Sequence, residues 1–206
     1  MADTLCVSSG TAAIKVALKA LGVGRGDQVI TQAFNFIATV EAIVDTGAKV
    51  IFSDIDDTLN MSAKSLESLI TKKTKAIIPV HMLGVPADMI SINRIGKGNK
   101  IPVIEDACEA IGAKVARKYV GGLSEFGVFS FDFGKMITTG EGGALFTKRK
   151  SDGKNARMYH DHGHKNIPNL PRGLDRAGLI GFNYRMTEIS GAFGKVQLEK
   201  FPRILR

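Results

Sequence analysis

Short apolar runs alternate with stretches of helical periodicity along nearly the whole chain, and no other feature limits the possible folds as strongly. Thr4-Leu5-Cys6-Val7 meets the polar turn Ser8-Ser9-Gly10-Thr11, after which Ala13, Val16, Ala17, Ala20 and Leu21 recur on one helix face. Gly22 closes that helix and the unit repeats, with Gln28-Val29-Ile30-Thr31 as a strand and residues 35–46 as a helix. Further strands are expected at 49–52, 76–80, 101–104, 127–131 and 143–147, helices at 62–70, 152–159 and 187–198, and a hairpin at 114–122. No element is read between Val80 and Ile101. Strands that alternate with helices pair in parallel and are covered on both faces, so the expected fold is α/β, three layers (α/β/α) on a mainly parallel, mixed sheet. Ligands bind such sheets beyond the carboxyl ends of the strands, which makes the residues after each strand the ones to read first.

The 206 residues suffice for one sizeable domain, and 44% hydrophobic with 23% charged residues excludes a disordered, collagen-like or coiled-coil chain. No apolar stretch reaches the roughly 18 residues of a membrane span, and Met1-Ala2-Asp3 carries no basic region followed by an apolar one. The reading is a cytoplasmic protein with no membrane partner. Cys6 and Cys108 are far apart and form no C-x-x-C, so both are expected as small buried residues. The net charge of +8 is uneven: residues 1–112 hold 11 Lys/Arg against 12 Asp/Glu, and residues 113–206 hold 17 against 8. The basic residues are scattered and not interleaved with stacking aromatics, which points to a small anionic ligand, or merely a solvated face, and away from nucleic acid.

Three features carry chemistry. Ser8-Ser9-Gly10-Thr11 sits between the first strand and first helix, where free backbone N–H groups and the positive end of the helix dipole attract a phosphate. Gly22, Gly24 and Gly26 mimic part of a dinucleotide fingerprint but follow a helix, so that reading fails. Glu105-Asp106 follows a buried strand and puts a carboxylate at the ligand end of the sheet. Lys135 lies 29 positions on, in the turn Asp132-Phe133-Gly134-Lys135 before Thr139-Gly140-Glu141-Gly142-Gly143. An amine in such a turn can attack a carbonyl and form a Schiff base. A phosphate cradle, a buried carboxylate and a Schiff-base lysine together describe a site for pyridoxal 5'-phosphate.

Ser9-Gly10-Thr11-Ala12-Ala13, Gly26-Asp27-Gln28-Val29-Ile30, Ala76–His81, Glu105-Asp106-Ala107, Phe129-Ser130-Phe131 with Lys135, Thr139–Gly143 and Gly181–Glu188 stand in the same order as in one known family. The chain resembles the DegT/DnrJ/EryC1/StrS sugar aminotransferases, which have the fold type I architecture of PLP-dependent transferases. The resemblance implies that Lys135 forms the internal aldimine and shuttles a proton, and that Asp106 pairs with the pyridine nitrogen. It implies that Gly10, Thr11 and Ser130 hold the phosphate, that Phe36 lies against the ring, and that Asn183 and Arg185 reach the phosphate of the second subunit of a homodimer. At the position where many members carry His or Gln near the ring's 3-hydroxyl, this chain has Glu109, a second carboxylate that needs a proton or a cation. Lys135 excludes the dehydratase branch, in which histidine replaces the lysine.

The histidines His160, His162 and His164 lie in a polar loop and read as surface or substrate contacts, with no metal site assigned. The implied substrates are glutamate or glutamine as amino donor and, as acceptor, a nucleotide-linked 4-keto-6-deoxyhexose or an 8-carbon keto-sugar acid, the latter by likeness of residues 161–176. The resemblance also implies an N-terminal segment and a C-terminal small domain beyond residues 1–206, leaving here one cofactor-binding large domain. The alternative is an inactive PLP-fold fragment with a binding or regulatory role.

Overall fold

The computed structural model describes residues 3–171, 174–175 and 178–206. Met1, Ala2 and, within residues 161–176, Arg172, Gly173 and Arg176 lie outside them. Among the described residues the strands are β1 (Asp3–Val7), β2 (Gln28–Gln32), β3 (Lys49–Ser53), β4 (Thr74–Ile78), β5 (Ile104–Asp106), β6 (Lys114–Val115), β7 (Lys118–Tyr119), β8 (Phe126–Ser130) and β9 (Gly143–Thr147). The helices are α1 (Gly10–Ala20), α2 (Ile37–Asp45), α3 (Ala63–Leu69), α4 (Met89–Asn99), α5 (Lys150–His160) and α6 (Glu188–Ile204).

Two ladders, β1-β9-β8-β5 and β4-β2-β3, meet at β4 and β5 through parallel bridges Ile77–Val103 and Val80–Asp106. The Asp106 N–H donates to Pro79 O at 2.9 Å and the His81 N–H to Asp106 O at 3.0 Å, so the ladders form one sheet in which β9 alone runs antiparallel among the described strands. β6 and β7 form the separate hairpin expected at 114–122.

Side chains alternate between the two faces of the sheet, and both faces are covered. Val29, Ala76, Ile78, Val128 and Leu145 join the core under α1, α2 and α5. Ile30, Ile77, Ile101 and Val103 join Leu66, Met89, Ile92 and Ile95 of α3 and α4 on the opposite face. Truncating one of these fully buried chains, Ile77 for example, costs about 2–5 kcal/mol. The three layers are those expected from the alternation of elements.

Four local expectations are corrected. The β5 ladder starts at Ile104 instead of Ile101, because Pro102 has no N–H to donate. α4 fills the stretch where no element was read. Its cap is Asp88, whose side chain accepts from the Ser91 N–H at 3.1 Å, and its apolar face (Met89, Ile92, Ile95) is hard to read because its next buried position is Gly96 and its other neighbours are polar or glycine. Cys6 is exposed, since on β1 it alternates with the buried Leu5 and Val7 and faces away from α1 and α5. α6 continues to Ile204 through Pro202, and none of its residues is buried: Ile189, Phe193 and Leu198 are 74, 62 and 54% exposed. No described helix is long and apolar enough to cross a membrane.

β1 is tied to α5 by Arg157, whose Nε donates to Asp3 Oδ2 at 2.8 Å. This hydrogen bond is the main reason the Asp3 carboxyl titrates below its usual range. A depressed native pKa adds stability above the unfolded value, near 3.8, that is lost as the pH falls through the native one. Asp3→Asn should therefore lower the unfolding free energy measured in urea at pH 7 by under about 1 kcal/mol, the pair being largely exposed, with parent and variant converging as the pH falls through the native pKa of Asp3.

Candidate active site

The carboxyl ends of β4, β5 and β8 and the N-termini of α1 and α2 surround a cavity of about 420 Å³. Gly10, Thr11, Phe36, Asp106, Glu109, Ser130 and Lys135, seven of the nine residues expected in the site, line it.

At one end, Ser9 caps α1 by accepting from the Ala12 N–H at 3.0 Å. The N–H groups of Gly10 and Thr11 have no intrahelical acceptor and face the positive end of the dipole. Gly10 is required here by close approach: a Cβ would sit 2.9 Å from Ser130 Cβ and 3.0 Å from Cys108 Sγ. Gly143 is required likewise, because a Cβ there would lie 2.5 Å from the backbone of Ser9. The helix start, Ser130 and the beginning of β9 are thus pressed together into a narrow, donor-rich pocket that suits a phosphate.

Asp106 lies at the base of the cavity and is 4% exposed. Its Oδ2 accepts from Thr39 Oγ1 at 2.7 Å and its Oδ1 from the Cys108 N–H at 3.2 Å. No cation pairs with it among the described residues. A desolvated carboxylate is costly unless a positive group comes to it, so the cavity calls for a ligand with a protonated nitrogen at this depth. The adjacent Cys108 thiol is pushed well above its ordinary range, first by burial and then by Asp106, and is no nucleophile at neutral pH.

Lys135 stands across the cavity in the β8–β9 connection. That turn is closed by the Lys135 N–H to Asp132 O (3.0 Å), the Thr139 N–H to Phe131 O (2.9 Å) and the Phe131 N–H to Gly142 O (2.9 Å). Lys135 Nζ is 5.9 Å from the centroid of the Phe36 ring, at the N-cap of α2, and 3.6 Å from Glu109 Oε1. The cation that a second carboxylate needs is therefore Lys135 itself. The donor set fits pyridoxal 5'-phosphate: a phosphate cradle, an aromatic ring for stacking, a carboxylate for the ring nitrogen and an amine for the aldehyde.

Asn183 and Arg185 are not brought to this cavity. Arg185 pairs with Asp161, and its N–H donates to Asn183 Oδ1 at 3.3 Å. Their segment is held by Tyr159, whose ring lies 5.9 Å from both Phe182 and Tyr184 and whose hydroxyl is pushed up to about 12, mainly by burial. The three histidines diverge, and His160 is not in a loop: it ends α5 and is buried, so it is no surface contact. His160 Nδ1 donates to Arg157 O at 2.6 Å, while His164 pairs with Asp175 at 2.9 Å. Among the described residues no three His, Cys, Asp or Glu groups could hold a metal ion.

Two contributors escaped the sequence reading. Thr39 orients Asp106, and its spacing of three from Phe36 puts both on one face of α2, a signal that was available. Glu105, next to Asp106, points to the other face of the sheet. It accepts from the N–H groups of Gly121 (2.7 Å), Leu123 (2.7 Å) and Ser124 (2.6 Å) and lies 3.4 Å from His81 Nε2. His81 Nδ1 accepts from the Ala87 N–H at 3.1 Å, so the ring proton is on Nε2, facing Glu105. This arrangement anchors the chain leading into β8, and only its long-range partners reveal it.

The sequence profile of the DegT/DnrJ/EryC1/StrS aminotransferase family matches residues 1–206. The chain belongs to this family. It is 42% identical over 203 residues to a GDP-perosamine synthase of Escherichia coli O157:H7, covering 94% of this chain and 52% of that protein. An aminotransferase from Psychrobacter cryohalolentis superimposes with a TM-score of 0.91 at 35% identity, over 97% of this chain and 52% of that one. NtdA from Bacillus subtilis, solved with its cofactor PMP, does so with a TM-score of 0.87 at 33% identity, over 95% and 44%. The fold is thus that of the PLP-dependent aminotransferases, and the chain spans about half the length of the curated relatives it matches.

Gly10→Ala should force Ser130 or Cys108 to move, costing about 1–3 kcal/mol. Urea unfolding of the variant checks this, and an unchanged midpoint would mean that the cradle is not tightly packed.

Proposed function

We propose that residues 1–206 form the cofactor-binding large domain of a cytoplasmic sugar aminotransferase that acts as a homodimer. The observation that carries this reading is the buried Asp106 carboxylate, which has no cation paired with it among the described residues and shares a cavity with Lys135 and an open helix N-terminus. Bound pyridoxal 5'-phosphate would supply the aldehyde that accepts the amino group and a protonated ring that draws in electrons. Asp106 keeps the proton on the ring nitrogen, and Thr39 keeps the carboxylate aimed at it. The N–H groups of Gly10 and Thr11, with the hydroxyl of Ser130, hold the phosphate, while Phe36 packs against the ring. Lys135 Nζ would be the amine that receives the aldehyde, and, when not so engaged, the base that would move a proton at the reacting carbons. Asn183 and Arg185, turned away from this cavity, serve the phosphate in a second copy of the chain.

The donor in this reading is glutamate or glutamine. The acceptor is a nucleotide-linked 4-keto-6-deoxyhexose, which the likeness to GDP-perosamine synthases favours over an 8-carbon keto-sugar acid.

Incubation with pyridoxal 5'-phosphate, borohydride reduction and peptide mapping test this reading. The pyridoxyl group is expected on Lys135 and is expected to vanish from that peptide in Lys135→Arg. Labelling confined to other lysines would overturn it.

A further inference from the structure

Glu109 has two partners, one on each side. Its Oε2 accepts from the Leu83 N–H at 3.0 Å and its Oε1 lies 3.6 Å from Lys135 Nζ. The first contact depends on an unusual backbone. Leu83 has φ 53° and ψ 27°, a left-handed conformation that costs a residue other than glycine about 1–2 kcal/mol, and its side chain is 70% exposed instead of packed. The strained turn presents its N–H to Glu109 and fixes the carboxylate within reach of the lysine. The pair is 22 and 24% exposed on its two sides, so it is only partly screened by solvent.

We propose that Glu109 is a positioning residue that parks the Lys135 ammonium whenever no carbonyl is attached to it. This rests on the function proposed above and adds a role for the one residue that departs from the commoner family pattern. Only the free amine attacks a carbonyl, and a carboxylate beside the ammonium holds the proton on its nitrogen, so Glu109 governs how readily Lys135 reacts. Glu109→Gln keeps an acceptor for the Leu83 N–H and removes only the charge, whereas Glu109→Asp keeps the charge but is one methylene too short to serve both partners.

The test is competitive acetylation of the cofactor-free chain with limiting acetic anhydride, read by peptide mass spectrometry as the ratio of Lys135 to the exposed Lys118. Glu109→Gln should raise the ratio about three- to fivefold at low salt, the difference shrinking in 0.5 M KCl as the charge is screened. Glu109→Asp should fall between parent and Glu109→Gln. An unchanged ratio in Glu109→Gln, or a rise indifferent to salt, would overturn the proposal. Pyridoxal labelling of the parent is run in parallel: an unchanged acetylation ratio with Lys135 still labelled defeats the parking role alone, and loss of labelling defeats the reading beneath it.

Discussion

The structure is organised around the buried carboxyl group of Asp106. Asp106 ends the three-residue β5, the strand at which the two ladders join, and its backbone is bonded to Pro79 and His81 on one side while the next N–H, of Ala107, bonds to Val128 on the other. A carboxylate at this depth is tolerated because Thr39 and the Cys108 N–H each give it a hydrogen bond, and because it faces a cavity that can admit a cationic partner. The open start of α1, the Phe36 ring and Lys135 are placed by other elements at the same edge of the sheet. The site therefore exists only when both ladders are joined.

That joining explains what the neighbours of Asp106 do. Glu105 and His81 lie on the opposite side of the strand and make no contribution to the cavity wall, yet they lock the 121–124 segment and the end of β4 against β5. Two adjacent carboxylates on one strand thus take different tasks because the pleat sends them to different faces: Glu105 binds backbone N–H groups, and Asp106 is left with capacity for a ligand. Glu109, which lines the same cavity, has a cation in Lys135, whereas none pairs with Asp106 among the described residues.

Much of this was legible in the sequence because it is written in local chemistry. The apolar runs and helical spacing locate nearly every strand and helix, and Ser9, Ser62 and Thr187 cap helices where the pattern starts them. Lys135, Asp106 and the Gly10-Thr11 turn, which line one cavity, stand out because each lies at or just past the end of a strand. The misses are non-local. α4 is obscured because its two glycines weaken the helical signal, and its apolar face becomes meaningful only against Ile77 and Val103. Cys6 looks like a core residue until the pleat of β1 turns it to the face beside α6. Thr39 and Asp106 are 67 positions apart, and Glu109 meets Leu83 through a backbone conformation that no local pattern predicts. Arg185 is predicted to contact a phosphate, and within its own chain it is held by Asp161.

If Asp106 holds a proton on the nitrogen of a bound pyridine ring, loading the chain with pyridoxal 5'-phosphate labelled with 15N in the ring and reading that nitrogen's chemical shift will show it. The shift of a protonated pyridinium is expected in the parent, persisting into mildly alkaline solution, and that of a neutral pyridine in Asp106→Asn. A neutral nitrogen in the parent, or a protonated one in both proteins, would rule out this role for Asp106.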